Sequence, residues 1–304
     1  MIIECLKDGF ALANRNFQLV VIRIIVSVIN VIGFGFFLGI PLIIAIAYLG
    51  FDVAHARHML PYMADNPLEF VSRYLGLALL LLFAFLSFLV FSSMLFLYTL
   101  GGTLGPLRNS FTNAGLTFTL PSFFREANAN FSRLFWLLSL VFFGITVLLT
   151  GCALMGGIMV LVVNAVSATD GILTMFLRSF AVVFMIIICV LSLLASVIFS
   201  VYSVVISVVE EKNAKESVKS TFGFLKEKPQ ALLFFIVLIL VFITASLIFF
   251  SVQIPLRIIP FIHVVTFLIN AFFSNYLAVV LWGSLVAYYM RASGSPVYDT
   301  GYEI

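Results

Sequence analysis

Apolar residues recur along this chain at a spacing of four, three and four, and each time a long apolar run follows. The first set is Leu6, Phe10, Ala13 and Phe17. The second is Leu120, Phe124, Ala127 and Phe131, and the third is Val218, Phe222 and Leu225, closed by Pro229. Leu6 and Leu120 lie 114 residues apart, Leu120 and Val218 lie 98 apart, and the register needs no gap. This spacing puts each set on one face of a helix, so the pattern predicts three short amphipathic helices. Self-similarity on this scale predicts tandem repeats.

Six apolar runs accompany them, at about 18–49, 70–100, 132–166, 171–209, 230–254 and 261–290. A bilayer-crossing helix needs about 20 mostly apolar residues. All six qualify, and the longest must tilt, bend or protrude past the headgroups. The expected fold is all-α: a polytopic membrane protein with six transmembrane helices in three tandem repeats, each an interfacial amphipathic helix plus a transmembrane hairpin. Residues 1–100, 101–209 and 210–291 are the three repeats of a single membrane domain, and 292–304 are a polar tail. Composition agrees: the chain is 63% hydrophobic and only 10% charged, with a mean hydropathy of +1.22, against roughly 25% charged in soluble domains. Glu4, Lys7, Asp8 and Arg15 break up the first 17 residues and no small-residue cleavage site follows, so the first run is expected to be a retained span.

Basic residues set the expected orientation. Lys7, Arg15, Arg23, Arg108, Arg125, Arg133, Lys212, Lys215, Lys219, Lys226, Lys228 and Arg291 fall on one side of this layout; Arg57, Arg73, Arg178 and Arg257 fall on the other. Over short loops such an excess marks the cytoplasmic side. Both termini are expected there, in a cell inner membrane. The expected partners are membrane lipids with anionic headgroups on the cytoplasmic side, and no nucleic acid is called for.

The outer connection at about 50–69 ends in Asn66-Pro67-Leu68-Glu69, a predicted helix start with proline in the first helical position. The second, 167–171, is tight, and the third breaks at Pro255 and Pro260. The stretch 101–121, with Gly101, Gly102, Gly105 and Pro106, reads as a cytoplasmic surface loop carrying a short helix around 106–114. In the first span, Gly33, Gly35, Gly39 and Pro41 predict a bend or a packing notch.

The segment Val209-Glu-Glu-Lys-Asn-Ala-Lys-Glu-Ser-Val-Lys-Ser-Thr-Phe222 carries a resemblance. A span ending in Val-Val-Glu, then a helix of small residues and lysine, resembles a loose group of bacterial and archaeal six-helix integral membrane proteins. That group includes the membrane domain attached to some glycerophosphodiester phosphodiesterases. Glu210, Lys215, Ser217, Ser220 and Phe222 are the matching positions. The likeness implies the six-helix architecture and places this segment before the fifth span. The acidic and histidine catalytic set of the soluble phosphodiesterase portion is not in this sequence, so the likeness implies no activity.

Candidate chemistry is sparse. Lys212, Lys215, Lys219 and Lys226 surround the apolar face of Val218, Phe222 and Leu225, where long stems can lie along the bilayer while ammonium groups reach lipid phosphates. The same lysines also orient the chain. His55 and His58, near Asp52, are two closely spaced metal-ligand types without a second cluster, so no metal site and no cofactor is expected. Ser192, Ser196, Ser200, Ser203 and Ser207 run down the fourth span and predict a helix-packing seam or a polar lining. Asn270 and Asn275, deep in the sixth span, each need a hydrogen-bond partner. Cys152 and Cys189 sit in spans three and four and read as small apolar groups. No phosphate loop, zincin pair or nucleophile elbow occurs.

Two readings follow. In one, a non-enzymatic membrane protein organises anionic lipid or supports a membrane-protein partner through its interfacial helices. The other is a transporter or channel for a lipid-like or apolar small molecule.

Overall fold

The structure, a computed structural model, describes residues 1–50, 67–113, 118–166, 172–254 and 262–294. Helix accounts for 94% of it, with no strand among the described residues. Among the described residues, six helices are long and apolar enough to cross a membrane: Phe17–Ala47, Leu75–Thr112, Leu120–Val163, Met175–Val209, Gln230–Gln253 and Val265–Ala292. The chain is a multi-pass membrane protein. His55, His58, the three outer connections and the tail from 295 onward lie outside the described residues.

In chain order the helices are α1 (Ile2–Arg15), α2 (Phe17–Phe34), a π-helical turn (Gly35–Gly39), α3 (Ile40–Gly50), α4 (Pro67–Thr112) and α5 (Leu120–Val166). They continue with α6 (Ile172–Val209), α7 (Ala214–Glu227), α8 (Gln230–Gln253) and α9 (Ile262–Ala292). α4 begins at Pro67, as its sequence predicts. α5 has 47 residues, a rise of about 70 Å, more than twice the roughly 30 Å of hydrocarbon it must cross. Helices of this length extend well beyond the bilayer core.

Two compact units are present, residues 18–100 and residues 1–17 with 101–304. In the first, spans one and two meet through phenylalanines: Phe34 and Phe88 pack edge-on at 5.5 Å, and Phe37 and Phe91 lie 5.4 Å apart. Gly33 is the close approach, since a Cβ there would run into the Phe91 ring. Gly35 and Gly39 bracket the π turn and face open space. Pro41 has no N–H to donate back along the helix, and the turn just before it shifts to a wider pattern, with Ile40 N–H donating to Gly35 O.

In the second unit α1 packs on α9, α7 packs on α6 and α5, and α9 contacts α6 and α8. Its most buried side chains sit toward one end of the spans. Tyr202, Phe234 and Tyr288 are buried, with the Phe234 and Tyr288 rings stacked at 4.2 Å and the Tyr202 hydroxyl donating to Ala231 O at 2.8 Å. Elsewhere the spans are overwhelmingly exposed and apolar, as surfaces facing lipid are. Asn270 finds its partner across helices, accepting from Gln253 Nε2 at 2.9 Å, whereas Asn275 bonds back to Ala271 O.

Two expectations change. The stretch 101–112 is the last three turns of α4 and is largely buried, not a surface loop. Its glycines admit another helix: a Cβ at Gly102 would stand 2.5 Å from Phe123, and one at Gly105 would stand 2.6 Å from Glu126. The second amphipathic stretch is not a separate helix but the opening turns of α5. The first copy is broken off at Asn16 and the third at Lys228-Pro229, and no comparable break follows Phe131.

Candidate functional site

α1 and α7 each contain 14 residues, a length at which an isolated helix is marginal in water. Tertiary contacts must hold them. α1 lies on α9 through Gly9, where a Cβ added at Gly283 would stand 3.3 Å from the Gly9 carbonyl oxygen. The opening turns of α5 lie on Gly101 and Gly105 of α4, and α7 folds back on α6, where Ser207 Oγ donates to Lys212 O at 3.2 Å. Each receiving helix carries a buried small pair four residues apart: Gly101 and Gly105, Ser203 and Ser207, Gly283 and Ala287. Small residues let helix backbones approach closely where lipid supplies no hydrophobic drive.

The buried faces are rotated from the apolar faces that the spacing marks. Burial centres on Cys5, Gly9, Leu12 and Asn16 in α1, on Phe123, Glu126, Ala127 and Asn130 in α5, and on Ser217 and Thr221 in α7. The large aromatics of the repeated pattern stay outside: Phe10, Phe124 and Phe222 are 41%, 49% and 68% exposed. Asn16 and Asn130, again 114 residues apart, each donate Nδ2 to the carbonyl four residues back, Leu12 O and Glu126 O.

Polar groups join these seats into a ring. Arg108 of α4 donates to Val208 O of α6 at 2.9 Å, pairs with Glu211 at 2.8 Å, and stands 3.6 Å from Glu126 of α5. Glu210 accepts from the Tyr289 hydroxyl of α9 at 2.6 Å and pairs with Lys212. Arg291 of α9 reaches Asp8 of α1 at 2.8 Å and Glu4 at 3.6 Å. Arg15 then closes the circuit by donating to Ser110 O and Asn113 O, while Ser110 donates to the Asn16 amide oxygen. Glu211 holds a left-handed backbone (φ 55°) to make its contact, at a cost of about 1–2 kcal/mol for a non-glycine residue. Burial pushes the Cys5 thiol up to about 11 despite the opposing charge of Arg291. Burial likewise raises the Asp8 carboxyl, with Arg291 pulling it back.

The lysines divide. Lys212 is half-buried and engaged, donating to Ser220 Oγ at 2.9 Å besides its pair with Glu210. Lys215, Lys219 and Lys226 are exposed and share one line of α7 with Phe222. Ser217 is buried and donates to Asn213 O. Of the serine row, Ser196 and Ser200 bond back to their own helix, Ser207 supports the turn into α7, and Ser203 Oγ is buried without a partner among the described residues.

Ser192 and Ser196 also line an open apolar groove of about 850 Å³ between α5, α6, α7 and α8. A smaller groove between α5 and α6 holds Cys152 and Cys189 in mutual contact. Among the described residues no three His, Cys, Asp or Glu side chains gather to hold a metal.

No family model, curated protein or solved structure matches the chain. The reading of its role rests on its own residues. Glu126, Tyr289 and the bridging role of Arg108 escape the sequence reading, but one signal was present: Asn16 and Asn130 obey the same 114-residue offset as the apolar set, on the face that turns out to be buried.

Proposed function

We propose that this chain is a non-enzymatic protein of the cell inner membrane that gathers anionic lipid around a collar of short helices at the cytoplasmic ends of its spans. The collar also offers a seat for a membrane-protein partner. One observation carries the reading: each amphipathic stretch is seated by a face rich in small and polar residues, leaving Phe10, Phe124 and Phe222 outward, with Lys215, Lys219 and Lys226 beside the last of these. An aromatic ring flanked by long cations suits the boundary between acyl chains and phosphates.

The same observation supports three tandem repeats. The short helix of the second repeat sits on span two, that of the third on span four, and that of the first on span six, so the order closes on itself. The excess of basic residues on one side of this layout supports a cytoplasmic location for both termini. The likeness of residues 209–222 to phosphodiesterase-attached membrane domains agrees with this architecture.

Each exposed lysine near an anionic surface contributes about 1 kcal/mol. Replacing Lys215, Lys219 and Lys226 with Gln should therefore weaken retention of anionic lipid by about a hundredfold, read by native mass spectrometry. Unchanged retention would remove the proposal. The groove favours a second reading, passage of a lipid-like molecule. Its walls, however, cover only about eight residues of α5, a rise of about 12 Å, against about 30 Å of hydrocarbon. That extent suits binding better than crossing.

A further inference from the structure

We propose that the groove between α5, α6, α7 and α8 seats one acyl chain of an anionic phospholipid, with the lipid phosphate held at Lys226. The inference rests on the lipid-gathering reading and adds a defined, stoichiometric site to it. Three observations converge.

The first is chemical. The walls are apolar side chains such as Leu140, Leu148, Phe199 and Leu225, and Lys226 is the one charged residue among them. Ser196 spends its hydroxyl proton on Ser192 O at 2.8 Å and offers no donor to the groove. Apart from Lys226 and the Ser192 hydroxyl, a polar solute would find little there to replace its water. A hydrocarbon chain loses nothing on entering, and a single cation at the rim selects an anionic head.

The second is dimensional. From Leu140 to Leu148 the groove rises about 12 Å, close to the roughly 15 Å depth of one leaflet's share of the hydrocarbon. Its volume of about 850 Å³ falls within the roughly 300–1,000 Å³ of built small-molecule sites.

The third is positional. Lys226 lies in the last turn of α7, and the neighbouring lining residue of α8, Leu232, is the third residue of the fifth span. The cation therefore stands where an apolar crossing begins, which is where a phosphate belongs. Lys215 and Lys219, on the same line of α7 but outside the groove lining, attract lipid without gripping a chain.

The test uses the full-length chain in detergent, titrated with phosphatidylglycerol or phosphatidylcholine and read by native mass spectrometry. The native chain should keep one phosphatidylglycerol at collision energies that strip the rest. A Cβ at Gly144, in the groove wall, meets no atom within 4 Å, so Gly144→Phe fills the groove without disturbing packing. It should lower the tightly held population at least tenfold, and Ala195→Leu should act the same way more mildly. Gly157→Phe, equally free of neighbours but outside this groove, should leave it intact. Lys226→Gln should abolish the preference for phosphatidylglycerol.

A tight adduct undiminished in both Gly144→Phe and Ala195→Leu overturns the groove proposal, as does a bound second polypeptide lost in place of a lipid. The broader reading is judged separately. Lys215→Gln with Lys219→Gln should thin the weakly held anionic lipids and spare the tight one; if the weak lipids persist, the collar reading fails while the groove stands.

Discussion

Gly9→Leu should lift α1 off α9 and expose Cys5. A Cβ at residue 9 would stand 2.8 Å from both the Ser284 backbone nitrogen and the Val280 carbonyl oxygen. Backbone cannot swing aside as a flexible side chain can, so the helix itself must move. Overpacking of this kind costs about 1–3 kcal/mol and occasionally more, and a 14-residue helix has little stability of its own to absorb it. The readout is chemical. Cys5 is fully buried and its thiol is pushed up to about 11, so almost none is thiolate at pH 8. A freed thiol near 8.5 would be about a quarter ionised, making maleimide attack roughly a hundredfold faster. In a background of Cys152→Ser and Cys189→Ser only Cys5 can react. If Gly9→Leu labels at the native rate, α1 is not seated where the structure puts it.

Arg108→Leu should cost about 3 kcal/mol, the lower end of the range for breaking a buried pair, and lower the melting temperature in detergent by several degrees. Arg108 joins α4, α5 and α6 at one point, and its side chain and that of Glu126 are 15% and 12% exposed. Removing the cation leaves the buried Glu126 carboxylate to the Asn109 and Asn130 amides and a distant, exposed Arg125, and takes the side-chain donor from Val208 O. Most of the loss is that under-compensated charge, so adding Glu126→Leu should recover more than half of it. Strictly additive losses in the double variant would show that the two side chains do not act together. Glu211→Gln, by contrast, removes a partner that is 58% exposed and should cost under about 1 kcal/mol. Glu211→Gly should be nearly neutral, because relief of the left-handed backbone offsets the lost pair.

Much of the site was half-legible. The repeated spacing put apolar residues on one face of each stretch, but it did not show that the second stretch runs unbroken into a span, and a spacing of apolar positions does not say which edge of a helix is buried. In water the apolar edge would turn inward. Here Phe10, Phe124 and Phe222 stay exposed instead, and the small Gly9, Ala127 and Ser217 lie on the buried faces. Glycine and proline at 101–106 read as loop by local propensity, yet they extend a helix, since the same glycines make room for Phe123 and Glu126. Among the lysines, Lys212 carries the same charge as its neighbours and differs only in standing beside Glu210 and Ser220.

By itself the sequence determined the number and order of the membrane-crossing helices, because transfer of some 20 apolar residues into hydrocarbon is a local property that no tertiary contact needs to supply. Only the tertiary structure decided which helix each segment lies on, which cations remain exposed, and where a groove opens. Those outcomes depend on residues a hundred positions apart, such as Arg15 with Ser110 or Arg108 with Glu211, meeting at van der Waals and hydrogen-bond distance. No local pattern records such meetings, since close packing is a relation between surfaces rather than a property of either one.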